Sequence, residues 1–212
     1  MDTLISITNY QWQITYRNAM VVVCALPSCE EREVFPFSEE EKIEFAKIKS
    51  EKRRAEFIGT RLALEKLLGY KPQINHNAHG KPLLANGTAQ ISLSHSKDLV
   101  AAMMHRTNAV GIDVEPVAPK IERLAEKFLT DNEQQNAPQN EDKALYYTIC
   151  WAAKEAAYKI IGTSAVDFKT MDIKPFEPHT DGEIGLIHLE KEYRIKYKTL
   201  QQHIVAYGIS EK

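Results

Sequence analysis

The chain has 212 residues, 43% of them hydrophobic and 26% charged, with 27 Lys and Arg against 29 Asp and Glu for a formal net charge of −2. This is the make-up of a globular protein of one large or two small domains, and the near-neutral balance argues against a general nucleic-acid binder, which carries a strongly basic face. Three cysteines, Cys24, Cys29 and Cys150, are odd in number and lack zinc-ligand spacing, which fits a reducing compartment better than a disulfide framework. The N-terminus shows no basic segment leading into a signal-type apolar core, and Val21-Val22-Val23-Cys24-Ala25-Leu26 is far too short to span a bilayer. The expectation is a cytoplasmic protein with no membrane association.

Residues 3–26 read as two strands, with Leu4, Ile5 and Ile7 in loose alternation and Met20 to Leu26 as a compact apolar run. The turn composition of Tyr16-Arg17-Asn18-Ala19 joins them as a hairpin. Ser38 before Glu39, Glu40 and Glu41 begins a capping box, and the helix it opens extends, with a break near Ser50, to Leu68 before Gly69. That helix carries Lys52, Arg53, Arg54 and Arg61, readable as a solvated face or as phosphate ligands. Arg61 is the better candidate, because the leucines around it in sequence restrict it.

Residues 71–90 are rich in Pro, Asn, Gly and His and read as loop with short strands. His76 and His79 have metal-like spacing but no third ligand nearby, so loop polarity accounts for them. In Gly80-Lys81-Pro82 a lysine sits in a stiff, tight segment. Ile91-Ser92-Leu93-Ser94-His95-Ser96 alternates as a half-buried strand does, with Ile91, Leu93 and His95 in one phase and the serines in the other. No Gly-x-Ser-x-Gly elbow surrounds Ser94, which excludes that class of serine hydrolase.

Leu99 to Met104 supplies the next strand, then a turn at Arg106-Thr107-Asn108, then the strand Val110 to Val114 ended by Pro116. On it Gly111, Asp113 and Glu115 face one way and Val110, Ile112 and Val114 the other. Two carboxylates on one face, beside a glycine that permits close approach, form an oxygen-ligand pair suited to Mg²⁺. Ile121 to Leu129 reads as a short amphipathic helix and Thr130 to Asp142 as an exposed loop.

Trp151-Ala152-Ala153-Lys154-Glu155-Ala156-Ala157-Tyr158-Lys159 is a strong helix former uninterrupted until Gly162. On a helical wheel Ala153, Ala156, Ala157 and Ile160 make a packing face, while Trp151, Lys154, Glu155, Tyr158 and Lys159 lie opposite. Taken alone, Glu155 and Lys159 are an ordinary surface pair. With Asp113 and Glu115 upstream they suggest a split metal and phosphate site. Beyond Gly162, segments at Val166–Phe168, Met171–Ile173, Gly185–Ile187, Tyr193–Ile195 and His203–Tyr207 read as a mostly antiparallel strand set. The order suggests two α+β lobes of similar size meeting around residues 108–116, with a site in the cleft between them.

In that order Gly80-Lys81-Pro82, Ser92-Leu93-Ser94-His95-Ser96, Gly111-Ile112-Asp113-Val114-Glu115 and Trp151 through Lys159 resemble the phosphopantetheinyl transferase superfamily. The likeness is to its longer, single-chain, two-lobed class, the surfactin-synthetase-activating type. Gly-Ile-Asp-x-Glu followed by Trp-x-x-Lys-Glu-Ala-x-x-Lys is the specific part. The resemblance implies two similar lobes related by a pseudo-twofold, 1–110 and 111–212, each a small, mostly antiparallel sheet packed with a long helix. It also implies transfer of the 4′-phosphopantetheine arm of coenzyme A to a serine of an apo acyl or peptidyl carrier protein by a monomer. Asp113, Glu115 and Glu155 would hold Mg²⁺, with Mn²⁺ as the other option. Glu155 would act as general base and Lys159 would assist the leaving group, with Lys154 nearby. Ser94 and His95 would hold phosphates of coenzyme A, Lys81 its adenine or phosphate end, and Arg54 and Arg61 its ribose phosphate. The same carboxylates and lysines would also serve a Mg²⁺-dependent phosphohydrolase, or a coenzyme A or carrier-protein binding module without turnover.

Overall fold

A computed structural model describes residues 10–140, 142–163 and 166–211; the expected strand at Leu4, Ile5 and Ile7 lies outside them. Strands β1 (Tyr10–Tyr16) and β2 (Ala19–Ala25) form the expected hairpin. Arg17 (φ 48°) and Asn18 (φ 65°) both take the left-handed conformation that matches a tight turn to strand twist. A short helix, α1 (Cys29–Glu33), precedes α2 (Glu39–Ala46) and α3 (Glu51–Leu68). The break near Ser50 is real: Ser38 caps α2, the Ser50 hydroxyl accepts the Arg53 amide to start α3 anew, and Gly69 ends it at φ 75°.

Next come β3 (Ile74–His76), β4 (Pro82–Leu84), β5 (Gln90–Ser96), β6 (Leu99–His105) and β7 (Val110–Pro116). The expected Ile121–Leu129 helix is a 3₁₀ turn over Pro119–Leu124 followed by α4 (Ala125–Phe128). The segment read as an exposed loop instead contains α5 (Asp131–Gln135), opened by a capping box between Thr130 and Glu133. Helix α6 (Lys143–Ile161) is ended by left-handed Gly162. Phe168–Thr170 is a 3₁₀ turn capped by Asp167, not a strand. Strands β8 (Asp172–Ile173), β9 (Asp181–His188), β10 (Lys191–Leu200) and β11 (His203–Ile209) complete the chain.

The fold is α+β, and every described strand pairing is antiparallel. One sheet has the order β1-β2-β6-β5, the other β7-β11-β10-β9-β8, and β3-β4 form a small ribbon. Apolar side chains of α3 pack on one face of the first sheet through Ile58, Leu62 and Val100. The opposite face meets the second sheet through Val21, Met103, Ile112 and Tyr207. The second sheet's far face is covered by α6. The result is a helix–sheet–sheet–helix stack. Each leucine or isoleucine so buried contributes about 1.5–3 kcal/mol.

The two sheets also join at edge strands β5 and β7. The amides of Ile112 and Val114 donate to the Ser92 and Ser94 hydroxyls at 3.1 and 3.2 Å. Ser92 and Ser94 are therefore buried, although the alternation marked theirs as the polar face. They satisfy backbone donors that a free edge would leave unpaired. Among the described residues no helix is long and apolar enough to cross a membrane.

Candidate active site

Helix α6 approaches β7 closely because four alanines, Ala152, Ala153, Ala156 and Ala157, have no exposed surface and because Gly111 faces them without a side chain. A Cβ built on Gly111 would stand 1.9 Å from the Ala156 carbonyl oxygen. This contact brings the half-buried face of α6 alongside the carboxylates of β7. Asp113, Glu115, Glu155 and Lys159 all line one cleft of about 790 Å³, whose other wall includes Arg53 and His95.

Lys159 Nζ donates to Asp113 Oδ1 at 2.7 Å and to the Ile112 carbonyl at 2.9 Å. The same Oδ1 accepts the Ser94 hydroxyl at 2.8 Å. Asp113 Oδ2 is buried and has no hydrogen-bond partner among the described residues. The indole N–H of Trp151 donates to Glu115 Oε1 at 3.1 Å. Burial, and then the charge of Asp113, push the Glu155 carboxyl up to about 7, with Lys159 pulling the other way. Glu115 is raised by burial and by Asp113. Two carboxyls raised in part by the charge of Asp113, with an unsatisfied buried oxygen on Asp113 itself, form a donor set that suits a hard cation. As the side chains stand, no group of three or more His, Cys, Asp or Glu among the described residues is arranged to hold a metal ion; the Lys159 ammonium is the cation seated on Asp113.

Several expected residues are elsewhere. Lys154 is fully buried and does not reach the cleft: its ammonium donates to Glu133 Oε2 at 2.6 Å and to the carbonyls of Phe128 and Phe168. The helical wheel misplaced it because α5 and the 3₁₀ turn cover that side of α6. Arg54 is turned from the cleft, donating to the Ile48 carbonyl and Glu51 and lying over Phe45. Its neighbour Arg53 lines the cleft instead, with Nη1 3.4 Å from His95 Nε2. Arg61 does line the cleft, but it is buried, stacked over Phe57 at 3.3 Å and paired with Glu41 at 2.8 Å and Glu44 at 3.4 Å. Ser94 lines the cleft with its hydroxyl already engaged by Asp113 and Val114.

Lys81 lines an adjoining cavity of about 230 Å³ with Tyr158 and Lys159. Its Nζ donates to the Lys159 carbonyl at 3.1 Å, and burial lowers its pKa. A cation there suits the open carbonyls at the C-terminus of α6. His95 stands beside Glu56 at 3.4 Å, and burial favours its neutral form. Glu133 escaped sequence reasoning, though Thr130-x-x-Glu133 carries the spacing of a capping box.

Residues 109–210 match the family model described as the 4′-phosphopantetheinyl transferase superfamily. Over that span, just under half of its length, the chain is similar to this superfamily. The matched span holds Asp113, Glu115, Glu155 and Lys159, the acidic and cationic side of the cleft. The chain is also 30% identical over 125 residues to the 4′-phosphopantetheinyl transferase AcpT of Salmonella typhi, a match covering 57% of this chain and 65% of that protein. It is 28% identical over 125 residues to the 4′-phosphopantetheinyl transferase HetI of Nostoc sp., covering 52% of each. The chain thus spans less than two thirds of the length of these curated relatives.

Proposed function

We propose that this chain transfers the 4′-phosphopantetheine arm of coenzyme A to a serine hydroxyl of an apo acyl or peptidyl carrier protein, releasing adenosine 3′,5′-bisphosphate, with Mg²⁺ or Mn²⁺ held by Asp113, Glu115 and Glu155. The observation that carries this reading is the convergence of those three carboxylates and Lys159 on one cleft faced by Arg53 and His95. The buried, unpartnered Asp113 Oδ2 supports the cation assignment. When bound, the cation supplies charge neutralisation for the diphosphate, which matters more than covalent help in displacement at phosphorus.

The rest is work for the chain's own groups. Lys159 is anchored by two N–H bonds to β7 and has a third donor for the leaving phosphate oxygen. As the serine oxygen bonds to phosphorus and the diphosphate P–O bond breaks, Glu155 takes the hydroxyl proton, directly or through one water. Arg53 and His95, on the opposite wall, bind the phosphates of coenzyme A and orient it.

This reading treats residues 1–110 and 111–212 as lobes related by a pseudo-twofold, in the longer single-chain class. It takes the enzyme as a cytoplasmic monomer, whose carrier belongs to fatty acid, polyketide or nonribosomal peptide synthesis. The test is incubation of the purified protein with coenzyme A, Mg²⁺ and a panel of apo carrier proteins. A carrier should gain the mass of the arm. No mass gain across the panel refutes the proposal.

A further inference from the structure

Trp151 and Lys154 take no part in the transfer just described, yet neither is an idle surface residue. Lys154 has no exposed surface, and its three N–H bonds go to three different segments: Phe128 at the end of α4 (2.8 Å), Glu133 in α5 (2.6 Å) and Phe168 in the 3₁₀ turn (3.0 Å). Glu133 is equally buried, and its other oxygen accepts the Ile173 amide at 2.8 Å. A buried ion pair is a poor way to gain stability, because desolvation offsets its attraction. Its use here is geometric.

Two of the residues Lys154 holds, Phe128 and Phe168, set their rings edge-on against Trp151, with centroids at 5.0 and 5.3 Å. An indole gripped from two directions is fixed in orientation, and its N–H points to Glu115 Oε1 at 3.1 Å. Glu115 stands at the half-buried end of β7, where a free glutamate has several rotamers. We infer that Trp151 is a positioning residue for Glu115, aimed by the Lys154–Glu133 clamp through Phe128 and Phe168, so that Glu115 is pre-set to receive a divalent cation. This rests on the reading of Glu115 as a cation ligand. Outer partners that orient a ligand change metal affinity by about 10- to 100-fold when removed.

The test is Trp151→Phe, which keeps an aromatic ring between Phe128 and Phe168 and removes the N–H. Mn²⁺ binding, read from the spin-resonance signal of the free ion with coenzyme A present, should weaken about tenfold, while the thermal midpoint stays close to wild type. Mn²⁺ affinity equal to wild type overturns the inference. A second readout uses Trp12→Phe, which leaves Trp151 as the sole indole of the two in the chain. Its emission should change on Mg²⁺ addition with the midpoint found by calorimetry. Emission blind to Mg²⁺ that calorimetry shows to bind overturns the inference, and this measurement decides alone if Trp151→Phe does not fold. If the wild-type protein takes up no Mn²⁺, the cation reading itself falls and the inference with it. If wild type and Trp151→Phe bind equally, only the inference falls.

Discussion

Gly111→Ala isolates the contact on which the proposed site depends. Glycine to alanine is often mildly stabilising, because it restricts the unfolded chain. Here the added methyl would lie 1.9 Å from the Ala156 carbonyl oxygen and 2.9 Å from both its carbon and Ile160 Cγ1. A carbon and a carbonyl oxygen come no closer than about 3.3 Å, so α6 must retreat from β7 by about 1.4 Å. The obstacle is main chain and cannot rotate aside. Overpacking of this kind costs about 1–3 kcal/mol, and the backbone obstacle favours the upper end. At about 2–4 °C per kcal/mol for a chain of this size, the thermal midpoint should fall by up to roughly 10 °C. The same retreat carries Glu155 and Lys159 away from Asp113 and stretches the 2.7 Å Lys159–Asp113 bond. A misplacement near 1 Å in a transfer site costs on the order of 100-fold in rate. Denaturant unfolding and a carrier-loading assay measure the two effects separately. An unchanged midpoint would mean that the helix and strand are not in this contact. A lowered midpoint with wild-type turnover would mean that the spacing of α6 and β7 does not govern the reaction.

Glu155→Gln should abolish carrier loading and, in chelator, stabilise the free protein at pH 8. A carboxyl raised from 4.5 to about 7 on folding penalises the native state by about 3 kcal/mol above pH 7; that penalty shrinks as pH falls from 7 to 4.5 and is gone below, so a pH-independent offset between variant and wild type would refute it. Arg61→Ala should lower stability before it touches affinity, because it leaves buried Glu41 with the partly exposed Lys71 at 3.4 Å and the Ser38 amide at 3.0 Å but without its closest cation, at a cost of about 3–5 kcal/mol; an unchanged unfolding midpoint would contradict this. Arg53→Ala, at an exposed position on the cleft wall, should raise the apparent KM for coenzyme A while lowering the midpoint less than Arg61→Ala does, because buried Glu56 keeps Lys52 and His95, and an unchanged KM would remove Arg53 from the wall's function. Cys24, with a thiol pushed up to about 11, and Cys150, fully buried and pushed higher still, should resist a thiol reagent in the native state. At most one of the three cysteines should then react rapidly before denaturant is added.

Local rules made much of this fold readable, and where they failed the reason was a neighbour distant in sequence. Ser38, Ser50, Gly69 and Gly162 stop and start helices through their own dihedrals and side-chain oxygens, so their meaning is complete within a few residues. Arg17 and Asn18 make a turn for the same reason. Gly111, Asp113 and Glu115 share one face of β7, as alternation alone predicts, because strand alternation is a local property. Periodicity, however, reports which side chains share a face and not what comes to cover it. The serines of β5 looked solvent-facing until β7, some 20 residues on, supplied amides for their hydroxyls. Lys154 and Lys159 lay together on the polar arc of one wheel; Glu133 drew the first into the core, and Asp113 holds the second at the cleft. A lysine on the polar side of an amphipathic helix can therefore be a surface charge, a buried clamp or a site cation with the same spacing. What separates these fates is the carboxylate that folding brings to it, and for Lys154 that carboxylate was visible beforehand only as the Glu133 of a capping box in a segment too polar to look buried.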